Sequence, residues 1–249
     1  MSDTVSTTLP APRSGDSTAD TGAGTGGSPQ SAPAGGLQKA RAFTRWIDRR
    51  SFEDPGVRSA LRRGRGRDLD AVPFMHRFVA GWLTEEQLRD PDVQRAYYTV
   101  ASLIASQRRD QFAAAKSGAG TASESEGRYG RSLGAAFADG VAKGEAGLRE
   151  SSAETRLNLL SRQSVAGLHR HLPGAVQQLR DKQVDVDWAQ LLVDLSRWRP
   201  HCGAIKRRWL QDYYRARQAD VYRRALDADS NTDVQPSPDN ATPDPAAGS

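Results

Sequence analysis

Between residues 37 and 226 the large apolar residues recur three and four positions apart, segment after segment. That spacing places them on one face of a helix. No segment alternates apolar with polar residues between hairpin turns, and no unit repeats at a fixed period of about 20–50 residues. The expected fold is all-α, a helical bundle. Leu37, Ala40, Phe43, Trp46 and Ile47 predict a first helix to Arg50. Asp54-Pro55 and Asp90-Pro91 each offer a capping carboxylate followed by proline at the first helical position. The first pair predicts a helix to Arg63, stopped at Gly64. The second predicts one to about Ser106 that buries Val93, Tyr97, Val100, Leu103 and Ile104. Between them lie a basic loop, GRGRDLD at 64–70, and a helix opened by Pro73 with Phe74, Phe78, Val79 and Trp82 facing inward.

The second half reads the same way. A helix starts at Ser132, and Ser151 with Glu154 predicts a capping box ahead of Leu157, Leu159 and Leu160. Pro173 predicts the start of a helix to about Lys182. Asp187 predicts the cap of a helix carrying Trp188, Leu191, Leu192, Leu195 and Trp198, broken at Pro200. A last helix over about 203–226 carries Ile205, Trp209, Tyr213 and Tyr214. The five tryptophans, Trp46, Trp82, Trp188, Trp198 and Trp209, all stand among apolar residues at helical spacing. Core packing is therefore expected of them before base stacking.

Composition divides the chain into three. Residues 1–36 are Ser, Thr, Gly, Ala and Pro with almost no large apolar side chain, and 227–249 repeat that pattern. Such stretches bury too little surface to offset their ordering entropy, so both are expected to be disordered tails around a helical domain at 37–226. A further stretch of Gly, Ser, Ala and Thr at 115–128 reads as a flexible loop joining two helical halves. Charge follows the same division. The tails carry −2 and −5 within a whole-chain charge of +5, which leaves the middle at +12. Thirty of the 35 bases are arginine, as a GC-rich genome would favour. Codon bias does not explain why bases exceed acids in the middle alone. A body that basic is expected to meet a polyanion.

Several classes of function are disfavoured. Gly130-Arg131-Ser132-Leu133-Gly134 fits G-x-S-x-G, but a hydrolase sets that serine after a buried strand, and here a polar loop precedes it. Ser132 is expected to cap a helix and Gly134 to allow close packing, so no catalytic residue is assigned. His169 and His171 point to different sides of a helix, and His201-Cys202 has no partner pair, so no metal and no cofactor is expected. The glycines at 22–27 match no phosphate loop. Cys202 is the single cysteine, no apolar run approaches the roughly 20 residues of a membrane span, and no secretory signal opens the chain. A cytoplasmic protein away from membranes is the expectation.

The basic clusters carry the most information. They are Arg62, Arg63, Arg65 and Arg67; Arg108 and Arg109; Arg128 with Arg131; and Lys206, Arg207 and Arg208. Several stand at helix ends or in Gly-containing loops, where side chains can converge on phosphate. Lys206, Arg217 and Arg224 share one stripe of the last helix.

The order of motifs resembles the CasB family, the small subunit of the type I-E CRISPR Cascade complex. The resemblance runs over about 37–222. It rests on A-L-R-R-G-R-G-R at 60–67 after a D-P-G start, P-F-M-H-R-F-V at 73–79 and A-Y-Y at 96–98. It continues through G-R-S-L-G at 130–134, S-S-A-E-T-R-L at 151–157, L-L-S-R at 159–162, V-D-W-A-Q-L-L at 186–192 and a final K-R-R-W helix. It implies a non-catalytic helical bundle of which two copies lie head to tail among the other Cascade subunits. Such a subunit stabilises the guide RNA–target DNA hybrid and holds the displaced strand through backbone contacts. On matching positions it implies that Arg62, Arg63, Arg131, Arg156, Arg162, Lys206 and Arg207 meet nucleic acid. Charge alone adds Arg65, Arg67, Arg108 and Arg109. A helical DNA-binding regulator is the rival reading, but no short turn leading to a polar recognition helix stands out.

Overall fold

The opening helix begins before its apolar pattern does: α1 spans Ala34–Glu53 in the computed structural model, which describes residues 34–112 and 130–232. Most of both expected tails, the loop at 115–128 and Arg128 lie outside the described residues. Contacts divide the chain after Gln30. Met1–Gln30 is outside the described residues, and everything below concerns Ser31–Ser249.

Two predicted caps form as the sequence implies. Asp54 accepts from the backbone N–H of Gly56 at 2.8 Å and of Val57 at 3.1 Å, and α2 follows over Pro55–Arg62. Asp90 accepts from Asp92 at 2.9 Å and from Val93 at 3.3 Å, opening α5 over Pro91–Ala105. The segment between them is broken where one helix was expected. It runs through 3₁₀ turns at Leu69–Ala71, Pro73–Met75 and Ala80–Trp82, with short helices α3 at His76–Val79 and α4 at Glu85–Leu88. Met75 and Val79 go deepest there, while Phe74, Phe78 and Trp82 pack against the core from its edge.

α5 is the centre of the molecule. Ala96, Tyr97, Tyr98, Val100, Ala101, Leu103, Ile104 and Ala105 are all buried, so the helix is covered on nearly every side. It packs on α1, α2, α8 (Val165–Asp181) and α9 (Trp188–Ser196). α9 also lies against α1. The separation near 115–128 therefore belongs to the chain, since residues from both sides share one apolar core.

Two expected helix starts are displaced. α7 spans Glu150–Ser161 with Arg149 as its cap and no side-chain capping bond, so the box expected from Ser151 and Glu154 does not form. Burial of Ala153, Leu157 and Leu160 decides the register there. α8 is capped by Ser164, whose hydroxyl accepts from the Gly167 N–H, and Pro173 sits inside it rather than at its start. An interior proline costs about 3 kcal/mol. Leu168, Leu172, Val176 and Leu179 are each fully or almost fully buried, at about 1.5–3 kcal/mol apiece, which outweighs that cost.

The last two helices close the bundle. α9 has the predicted Asp187 cap, accepting from Gln190 at 2.9 Å. α10 runs Trp198–Thr232 with one non-helical residue, His201, immediately after Pro200. It extends past the expected limit at 226. α10 packs most extensively on α6 (Leu133–Ala142). The contact is close because Gly134 has no side chain: a Cβ there would lie 1.7 Å from the Trp209 carbonyl oxygen. Among the described residues no helix is long and apolar enough to cross a membrane.

Candidate nucleic-acid interface

The loop that ends α2 is built to hold arginines outward. Gly64 packs its backbone on Met75, where a Cβ would meet the sulfur at 2.0 Å, and Gly66 takes φ +71°. A side chain at either position would disturb the turn. Arg62, Arg63, Arg65 and Arg67 are all exposed around it. None of them pairs with a carboxylate among the described residues.

Two phenylalanines fix the next arginines. Phe52 of α1 and Phe112, just after α5, pack with ring centroids 6.1 Å apart. Arg109 lies 4.9 Å over Phe52, and Arg58 lies 5.2 Å over Phe112. Arg58 donates to the carbonyls of Ala105 at 3.3 Å and Gln107 at 2.6 Å, so a cation satisfies the C-terminal end of α5, where the helix dipole favours it. Burial, with Arg62 and Arg109 close enough to repel it, pulls the Arg58 guanidinium below its ordinary pKa. Three like charges are thus held together at the ends of α2 and α5. Sequence reasoning missed Arg58, although it stands four residues before Arg62 on the same helix face. Arg108 pairs with Asp110 at 3.5 Å, and both side chains are largely exposed, so that pair contributes little. Arg65 lines a water-sized niche of about 10 Å³ with Gln107, Gln111, Gln177 and Arg180.

The remaining predicted residues stand on other elements. Arg156 is half-buried on α7 and Arg162 is exposed at its end. Lys206 sits 5.5 Å over the ring of Trp198, and Arg207 beside it is exposed. Arg131 has its charge matched by Asp139. The expected stripe of Lys206, Arg217 and Arg224 is not a free basic face. Arg217 is buried and bonds Glu150 at 3.1 Å and Asp220 at 2.8 Å, while Arg224 bonds Asp220 at 2.9 Å and the Ala142 carbonyl at 3.1 Å.

The G-x-S-x-G run is a packing device throughout. Gly130 lies so close to Asp187 that a Cβ would come within 2.3 Å of its carboxylate, and the Arg131 N–H donates to that carboxylate at 2.9 Å. The Ser132 hydroxyl is buried and accepts from the Ala135 N–H at 3.2 Å, as a helix cap does. Gly130 N–H also donates to Gln190, whose amide donates to Asp194 at 2.7 Å. Asp194 accepts further bonds from Trp209 Nε1 at 2.7 Å and from Arg208. Burial raises the Asp194 carboxyl against the opposing pull of Arg208, Trp209 and Gln190. No group of three or more His, Cys, Asp or Glu among the described residues is placed to hold a metal ion.

Residues 57–214 match the family model of CRISPR-associated protein Cse2. A chain of a solved CRISPR RNA-guided surveillance complex is 34% identical with a TM-score of 0.63, and the match covers 76% of this chain and 99% of that one. A chain of a surveillance complex in a pre-nicking state is 35% identical with a TM-score of 0.63, covering 76% and 98%. The crystal structure of M. ruber CasB is 25% identical with a TM-score of 0.54, covering 80% and 99%. No curated protein gives a significant match.

Proposed function

Since the chain belongs to the CRISPR-associated Cse2 family, we propose that it is a non-catalytic small subunit of a type I-E surveillance complex, holding nucleic-acid backbone within it. Its partners are then the guide RNA, the target DNA, the other subunits and a second copy of itself, in the cytoplasm. The observation that carries the reading is the group of Arg58, Arg62 and Arg109, like charges brought together by Phe52, Phe112 and one turn of α2, with no carboxylate among the described residues to match them. Self-repulsion of that kind is relieved by a polyanion. Arg63, Arg65 and Arg67 extend the same patch. Arg156, Arg162, Lys206 and Arg207 supply further contacts, and Arg108 and Arg131 weaker ones because each already meets an aspartate.

These arginines meet phosphates, and base pairing between guide and target supplies the sequence specificity. The protein should co-purify with a short repeat-derived RNA when expressed with its complex. Alone it should bind single-stranded DNA weakly, with log affinity falling linearly in log salt at about −0.7 per phosphate neutralised. Replacing Arg62 and Arg63 together by Ala should flatten that slope and weaken every target sequence alike. An unchanged slope, or a loss that depends on target sequence, overturns the reading.

A further inference from the structure

At the other end of α2 from the arginine cluster lies a surface depression of about 290 Å³, lined by Arg50, Asp54, Gly56, Val57, Arg77 and Phe78. Its volume sits at the lower edge of the range of about 300–1,000 Å³ usual for small-ligand sites. Arg77 and Phe78 belong to the P-F-M-H-R-F-V run, to which the backbone reading gives no role. The Arg77 guanidinium lies over the Phe78 ring at 4.5 Å from its centroid. Phe78 is half-buried against the core, so the ring is fixed, while Arg77 is exposed. The cation is therefore held against an aromatic ring, and both side chains line the depression. Among the described residues no carboxylate pairs with Arg77 or Arg50. Asp54, the acid in the wall, is engaged by the N–H groups of Gly56 and Val57.

We propose that this depression takes one unstacked base of a single-stranded nucleic acid, with the Arg77 guanidinium, backed by Phe78, as the stacking plane and Arg50 beside it for the adjoining phosphate. Bases of single strands stack on aromatic rings and on arginine planes without regard to sequence. The placement along the helix fits a continuous strand. Asp54, Arg58 and Arg62 lie four residues apart on one stripe of α2, and eight residues of helix rise about 12 Å. A strand whose phosphates rest on Arg58, Arg62 and Arg109 can reach the depression within a few nucleotides. The inference rests on the backbone reading and adds a contact to the bases themselves.

The test compares Arg77→Lys with the wild-type chain on an oligothymidine strand and on an abasic strand of the same length. Lysine keeps the charge and loses the plane. Affinity for oligothymidine should fall about fivefold or more, affinity for the abasic strand should not change, and the salt slope should stay that of the wild type. Phe78→Leu, which keeps apolar bulk at the core edge, should show the same pattern. Wild-type binding of oligothymidine by Arg77→Lys, or an equal loss on both strands, overturns the proposal. The salt slope of the Arg62→Ala, Arg63→Ala protein is a separate readout, so failure of the phosphate contacts is told apart from failure of the base contact.

Discussion

The arginines around α2 and three of those along α10, Arg208, Arg217 and Arg224, are alike in sequence and opposite in structure. Along α10, Arg208 meets Asp194, Arg217 meets Glu150 and Asp220, and Arg224 meets Asp220. Around α2, Arg58 bonds two carbonyls and lies over the Phe112 ring, and neither it nor Arg62, Arg63, Arg65 or Arg67 meets a carboxylate among the described residues. The difference lies in the acids. α10 carries Asp220 three residues after Arg217 and four before Arg224, and it packs on α6 while Asp194 and Glu150 approach from neighbouring elements. The PGVRSALR stretch of α2 has no acid at all. Local density of positive charge therefore does not tell which arginines stay unpaired; the presence of a carboxylate in reach does.

The largest expected effect tests the paired region. Asp194 is buried and joins Gln190, Trp209 and Arg208, so Asp194→Ala strips three donors of their acceptor at once. Breaking a buried pair by removing one partner costs about 3–5 kcal/mol. Urea denaturation should show a loss in that range, while single-stranded DNA binding at a temperature where the variant is folded stays close to wild type. A loss below about 1 kcal/mol would mean that Arg208, 29% exposed, simply turns to solvent. The contrast between the two regions would then be much weaker.

A smaller effect comes from the seam where α8 meets α5. His169 is buried, bonded at Nδ1 to the Thr99 hydroxyl at 2.9 Å, with Nε2 unpartnered among the described residues. Burial, helped by Arg95 and opposed by Asp92, brings its pKa down from 6.5 to about 4. A folded pKa below the unfolded one means that the unfolded chain binds more protons between those values. Stability should be full above about pH 6.5 and fall as the pH drops toward 4, by roughly 3 kcal/mol. Thermal denaturation from pH 7 to 4 measures this, and His169→Gln should flatten that part of the curve. If it does not, the acid sensitivity belongs to carboxylates such as those that match the α10 arginines.

Local chemistry made much of the fold legible. Asp54, Asp90, Ser132 and Asp187 cap helices where their side chains can reach the next turn's N–H groups. Ser151 and Pro173 misled because tertiary burial of Leu157, Leu160, Leu168 and Leu172 outweighed the local signal. At the surface, the Arg62–Arg67 run was visible as charge beside glycine. Its companion Arg58 was legible one helical turn before Arg62, whereas Arg109 joins them through Phe52 and Phe112, which lie 60 positions apart in sequence. The partner of Arg217 was half visible: Asp220 is local, whereas Glu150 is 67 residues away.

The smallest expected effect on stability is the most telling for the unpaired region. Arg62→Ala with Arg63→Ala removes two exposed side chains at the end of α2, beside Gly64, and no bonded carboxylate is left behind. Surface substitutions of this kind usually stay within about 0.5 kcal/mol. Removing Arg62 also takes away one of the charges that repel Arg58, which works in favour of the folded state. The double variant should therefore denature at the wild-type urea midpoint or slightly above it while binding single strands less tightly. Such a result separates charge kept for a partner from charge used in the fold. A drop of more than about 1 kcal/mol would show instead that Arg62 and Arg63 support the fold as Arg208 and Arg217 do, and the two regions would no longer differ in kind.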